Sequence, residues 1–247
     1  MRFFTTLSFL LFASVALMAQ GFAYLNLTTA DGAERSIAAA QVKITFADGA
    51  LVAHGADGAE VRSYCYDDCI NCTGKIYVSG AKVVCFSNGN DAVDSNANTT
   101  GSVEVSDGVL VAVSSKGSPE MGIDADGNSR ITIKGGYVFT GGGNQGGSSS
   151  TIGSASQGYY WLTGKSFSET NYYTLADASD NNIFTIKLPC NVNSSYSLIS
   201  APQMVKGSTY TLKSSTTAPT DATSEFEGFY LGSSAKGTTT VASFTAQ

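Results

Sequence analysis

Apolar and polar residues alternate in short runs along this chain, and between Gly74 and Phe139 the alternation recurs at a fixed spacing. Ile76-Tyr77-Val78 precedes Lys82-Val83-Val84-Cys85, Val103-Glu104-Val105 precedes Val109-Leu110-Val111-Ala112, and Ile131-Thr132-Ile133 precedes Tyr137-Val138-Phe139-Thr140. Each copy is a pair of alternating strands around a Gly or Asp-Gly corner, the second strand starting seven residues after the copy begins at Lys75, Ser102 or Arg130, and the copies themselves start 27 and 28 residues apart. A period of that length made of short strands predicts stacked coils, best met by a parallel β-helix, because no coil can bury its own face without a neighbour. Stacking sets Ile76, Val103 and Ile131 in one inward column, with Val78, Val105 and Ile133 beside it and Val83, Leu110 and Val138 on the next wall. Outward, Tyr77, Glu104 and Thr132 suit water. The columns Lys82, Val109, Tyr137 and Val84, Val111, Phe139 are less polar, so that wall is either covered by another part of the chain or free to bind a ligand, with Lys82, Tyr137 and Phe139 as candidate contacts.

The flanks read differently. Residues 1–19 combine Arg2, an apolar run from Leu7 to Met18 and Ala19 as a cleavage residue, which predicts a secretory leader and a mature protein outside the cytoplasm with no membrane span. Residues 20–64 spell Ala-Asp-Gly three times between short strands, a β-meander placed to cap the first coil. The repeat occupies 65–141, a Gly/Ser loop 142–158, and an antiparallel β region 159–247. The aromatic group Tyr159, Tyr160, Trp161, Tyr172 and Tyr173 adds Trp161 as a candidate sugar contact, although alternation turns about half of strand aromatics inward.

Composition agrees with an all-β chain: hydrophobic residues make up 43%, charged residues only 14%, and long amphipathic helices have little material to form from. A net charge of −6 excludes a nucleic-acid partner, whose phosphates demand a basic surface, and suits divalent cations. Cys65, Cys69, Cys72 and Cys85 cluster, with Cys190 remote. In an exported chain they predict one or two disulfides of unassigned pairing. A zinc site is disfavoured because the single His54 is distant, and Cys85 falls on an inward position where a buried thiol also fits.

Two corners are acidic: Asp91 and Asp94 in one, Glu120, Asp124 and Asp126 in the next. Calcium takes several oxygen ligands, and stacked corners can supply them. Asp and Asn also close turns on their own backbone with no metal present. The runs Asn-Asp-Ala-Val-Asp-Ser-Asn (90–96) and Pro-Glu-Met-Gly-Ile-Asp-Ala-Asp (119–126), each tied to an alternating strand pair, resemble the secreted bacterial carbohydrate-binding domains with a pectate-lyase-like β-helix. The resemblance implies a right-handed parallel β-helix, a plant-type or acidic polysaccharide as partner, calcium at the acidic corners, and no need for catalysis. The alternatives are a calcium-dependent pectate-type lyase and a structural or adhesive surface protein. A lyase needs a base beside the metal, and Arg130 is the one Arg within the coils, with Lys82, Lys116 and Lys134 as weaker candidates.

Overall fold

The computed structural model describes residues 24–28, 34–38, 42–47, 50–55, 60–97, 102–125, 131–144 and 151–247. The predicted leader, Asp126 and Arg130 lie outside them. Strands come in chain order as β1 (Tyr24–Thr28), β2 (Glu34–Ala38), β3 (Val42–Ala47), β4 (Ala50–Gly55), β5 (Glu60–Cys65), β6 (Ile70–Cys72), β7 (Ile76–Ser79) and β8 (Lys82–Ser87). Then follow β9 (Val93–Ser95), β10 (Val103–Val105), β11 (Val109–Ser114), β12 (Ile123–Ala125), β13 (Ile131–Ile133), β14 (Tyr137–Gly141) and β15 (Ile152–Ala155). The rest are β16 (Tyr159–Phe167), β17 (Tyr172–Ala176), β18 (Asn182–Lys187), β19 (Val192–Ser200), β20 (Thr209–Ser215), β21 (Ser224–Phe226), β22 (Phe229–Leu231) and β23 (Thr239–Thr245). No helix occurs among the described residues, so none is long and apolar enough to cross a membrane.

From β4 to β14 the chain visits three sheets in rotation. Strands β4, β7, β10 and β13 pair side by side in parallel, as do β5, β8, β11 and β14, and as do β6, β9 and β12. The register matches the repeat: Ile76, Val103 and Ile131 are mutual neighbours, and so are Val83, Leu110 and Val138. These columns are buried and form one core inside the stack together with Val78, Val105, Ile133 and Cys85. The parallel pairing begins earlier than residue 65, since Leu51 on β4 already sits beside Ile76 and Val61 on β5 beside Val83. The pairings of β1 with β2, β3 with β4 and β2 with β5 are antiparallel there.

Glycine sets the corner between the first and second strand of each coil. Gly80, Gly108 and Gly136 have φ of 72°, 85° and 78°, in the region that side chains with a Cβ avoid. A Cβ on Gly108 would also stand 2.1 Å from the Ala81 carbonyl oxygen of the coil beside it, so the corner requires glycine twice over.

The apolar outer wall is covered. Strands β21, β22, β18, β17, β20 and β23 form an antiparallel sheet in that order. Its Leu175, Phe184, Ile186 and Phe229 share a second core with Val84, Val109, Val111, Val113 and Phe139. Strand β11 is therefore buried at all six positions, whereas β7 alternates. Each fully buried side chain of this size contributes about 1.5–3 kcal/mol. The far end is closed by β19, which pairs antiparallel with both β14 and β16, while β15 adds one more parallel strand beside β13.

Candidate functional site

Polar chemistry of interest gathers at the acidic corner and at the seam between the stack and its cover. At the corner, the middle residues of β6, β9 and β12 stand in register as Asn71, Asp94 and Asp124. Asn71 Nδ2 donates to Asp68 Oδ2 at 2.6 Å and to Asp94 Oδ2 at 2.9 Å, and Asn96 Nδ2 donates to the same Asp94 oxygen at 2.8 Å. Just before these strands, Asn90 Nδ2 donates to Asp67 Oδ1, the Asp91 amide donates to Asp68 Oδ1, and the Met121 amide donates to Asp91 Oδ1. Asp91 and Asp124 are each 8% exposed.

Burial pushes the Asp91 carboxyl up to about 7 against the Met121 N–H bond, and the negative charges of Asp124, Glu120 and Asp68 push the same way. Asp68 is raised as well, chiefly by burial. The stacking thus brings Asp91, Glu120 and Asp124 within electrostatic reach of one another and sets Asp94 beside Asp124. No three His, Cys, Asp or Glu side chains among the described residues converge as a metal cage.

The candidate sugar contacts are not brought together. Phe139 is fully buried, edge-on to Phe167 at 5.6 Å, and offers no surface to a ligand. Tyr137 lies edge-on to Phe229 and Phe184, with its hydroxyl accepting from Gln203 Nε2 at 2.9 Å. Lys82 reaches Ser224 Oγ at 3.4 Å and Glu60 at 3.7 Å, above the Phe226 ring. These three belong to the covered wall, so the first of the two readings of that wall holds. Trp161 stands apart on β16, half-buried and stacked on Tyr196 at 4.7 Å. The disulfide joins Cys65 to Cys69, with Cα atoms 5.7 Å apart, and Cys85 is buried in its predicted column.

The seam holds residues that the sequence reading missed. Glu227 and Gly228 join β21 to β22 as a two-residue turn, with φ of 47° and 81°, the positive pair that such a tight hairpin demands. Gly228 seats the turn on β18: its carbonyl accepts from the Lys187 amide at 2.8 Å, and a Cβ there would come 2.6 Å from the Lys187 oxygen. Glu227 is thereby delivered to β5. Its Oε1 accepts from Arg62 Nε at 2.5 Å and its Oε2 from the Tyr64 hydroxyl at 2.8 Å. Burial opposes the charge on Glu227, but the bonds from Arg62 and Tyr64 prevail and hold its carboxyl below the usual range. Burial and the neighbouring Glu227 raise the Tyr64 hydroxyl.

Beside this contact opens a groove of about 410 Å³ lined by Tyr64, Glu169, Lys187, Pro189 and Glu227 among others. Tyr64 remains 49% exposed, and Tyr66, two residues on, is 74% exposed. Gly89 makes room for Tyr66, since a Cβ there would lie 2.9 Å from ring atom Cε1. A larger groove of about 590 Å³ along β15 is lined mainly by small side chains and carries one charged side chain, Lys206. Two signals pointed to the seam: the Tyr-Cys-Tyr run ending β5, and Phe-Glu-Gly-Phe as a tight hairpin. Their meeting, 163 residues apart in sequence, had no local signature.

Compared with known proteins, the chain matches no protein-family model, no curated protein and no solved structure.

Proposed function

We propose that this chain is a noncatalytic, exported carbohydrate-binding protein whose stacked sheets form a right-handed parallel β-helix, and that plant-type or acidic polysaccharide binds at the seam. The observation that carries the reading is the open groove in which the half-exposed Tyr64 ring adjoins Glu169, Lys187 and Glu227. A sugar can lay its C–H face on an exposed ring while carboxylates accept from its hydroxyls, and Lys187 suits a uronate carboxylate. Calcium has its place in this proposal at the corner, where Asp91, Asp94, Glu120 and Asp124 supply oxygen atoms and a divalent ion would relieve their mutual repulsion.

One observation favours a second reading. An Asp91 carboxyl near 7 has the protonation range of a general acid or base, as a polysaccharide-cleaving enzyme would need. Its carboxylate is buried and one oxygen already accepts from Met121, so binding without cleavage ranks first.

The test is retention of the mature chain, residues 20–247, on insoluble cellulose and on polygalacturonate with and without calcium, with the supernatant followed for unsaturated uronate absorbance. Retention with no absorbance is the expected result. Absorbance that grows with time would establish the lyase, and neither signal would leave a structural role.

A further inference from the structure

Four Asn-x-Ser/Thr tripeptides occur in the chain, starting at Asn26, Asn71, Asn98 and Asn193. The tripeptide is the acceptor for N-linked glycan transfer in a eukaryotic secretory lumen, and the acceptor Asn must stay at the surface once the chain has folded. Two of the four have described side chains, and the structure treats them differently.

Asn193 lies near the start of β19, where the pairing with β16 loses its register between Lys165 and Phe167. Phe167 stands opposite Val192 and Lys165 opposite Ser195, so the two residues 193 and 194 face Ser166 alone. An extra residue of this kind turns a strand locally outward and leaves it without regular pairing. Val192 on one side is fully buried, while Asn193 is exposed, and so are Thr163, Gly164, Lys165 and Ser166 across from it. A bulky polar group on the Asn193 amide would therefore project into water and displace nothing.

Asn71 is exposed too, but its amide nitrogen is engaged. It donates to Asp68 and to Asp94 in the acidic corner. An N-glycosyl bond replaces one of the two amide hydrogens, so one of those carboxylates would lose its donor and a sugar would stand among the corner's carboxylates.

From this contrast we infer that Asn193 is an N-glycosylation site and that it is occupied in preference to Asn71. In the transfer, the Asn193 Nδ2 forms a bond to the anomeric carbon of a lipid-diphosphate-linked oligosaccharide. The bond from that carbon to the phosphate oxygen breaks, the lipid diphosphate leaves with the electron pair, and the amide proton passes to a carboxylate base of the transferase. The third residue of the tripeptide, Ser195, is buried in the folded chain, where its hydroxyl meets Ser197 and lies 3.4 Å from the Gly142 amide. Recognition of that hydroxyl must precede the folding of β19, so transfer accompanies synthesis and the preference is one of the secreted, folded protein: a chain modified at Asn71 loses a donor of the acidic corner as it folds, whereas one modified at Asn193 loses nothing. The inference rests on the predicted leader and is independent of the carbohydrate-binding reading.

The test is expression of the full chain with its own leader in a eukaryotic secretory cell. The secreted protein is treated with peptide N-glycosidase in heavy-oxygen water, and peptide mass spectrometry then reads the conversion of each acceptor Asn to labelled Asp. Expected are conversion at Asn193 exceeding that at Asn71, loss of one glycan's mobility shift in Asn193→Gln, and retention of it in Ser195→Thr, which keeps the acceptor tripeptide. An unconverted Asn193 in the wild-type chain, or conversion at Asn71 equal to or greater than that at Asn193, overturns the inference.

Discussion

The inner and outer faces of the same parallel strands end in two different cores, and the contrast separates what a repeat can specify from what it cannot. On β11, Leu110 and Ala112 point into the stack, where the coil before and the coil after supply their neighbours. Val109, Val111 and Val113 point the other way, toward a sheet made from residues some 60 to 130 positions later, such as Leu175, Phe184 and Phe244. The first core is a property of the period. The second depends on a long-range encounter, and it is that encounter which creates the seam where Glu227 meets Arg62 and Tyr64.

The largest expected effect tests the stacking itself. Gly108→Ala places a Cβ against the Ala81 carbonyl oxygen at a positive φ and should cost more than ~3 kcal/mol, seen as loss of the cooperative unfolding transition. Gly164→Ala is also at a positive φ, 67° against 85° at Gly108, but has open space around it and should cost only ~1 kcal/mol. Equal losses at the two would mean that coil-to-coil contact at the corner is not the constraint.

Truncation on the two faces comes next. Phe139→Ala should destabilise by about 3–5 kcal/mol and Leu110→Ala by about 2–5 kcal/mol in denaturant titrations, because both leave cavities in packed cores. A Phe139→Ala cost below ~1 kcal/mol would mean that the cover is dispensable to the stack.

The two polar sites should respond to pH with opposite signs. The folded-state pKa of Asp91 is raised to about 7, so the native protein binds the extra proton and stability falls as pH rises from about 4 to 7. Asp91→Asn keeps an oxygen to accept from Met121, and should raise the melting temperature at pH 8 while flattening its pH dependence. Added calcium should raise the wild-type melting temperature more at pH 8 than at pH 5. Glu227 has a lowered pKa, so its contribution is present at neutral pH and is lost as pH falls through the acidic range. The seam pair is partly exposed, and Glu227→Gln should cost at most ~1 kcal/mol at pH 7, the smallest of these effects.

The same division explains what was legible in the sequence. The columns of Ile76, Val103 and Ile131 and of Val83, Leu110 and Val138 could be read because strand alternation and a constant period determine them locally. The inward burial of Cys85 and the alignment of Asp94 with Asp124 followed from the same register. The earlier onset of parallel pairing was hidden by the third Ala-Asp-Gly, which reads as a hairpin turn like the two between the antiparallel pairs β1–β2 and β3–β4, although it lies between β4 and β5, which already belong to the stack. The pairing of Cys65 with Cys69 is one of several that cysteine spacing alone permits. Whether Phe139 faced solvent or a cover turned on the far sheet, and no local pattern in the repeat encodes that sheet's position. For the same reason Tyr137 and Trp161 drew attention as sugar contacts while Tyr64 and Tyr66, the most exposed large aromatics described, did not.

The most direct test of the central claim is titration of soluble polygalacturonate into wild-type, Tyr64→Ala and Trp161→Ala protein by calorimetry. Binding that is lost in Tyr64→Ala and retained in Trp161→Ala would place recognition at the seam. Binding retained in Tyr64→Ala but lost in Trp161→Ala, or absent from the wild type, would contradict it.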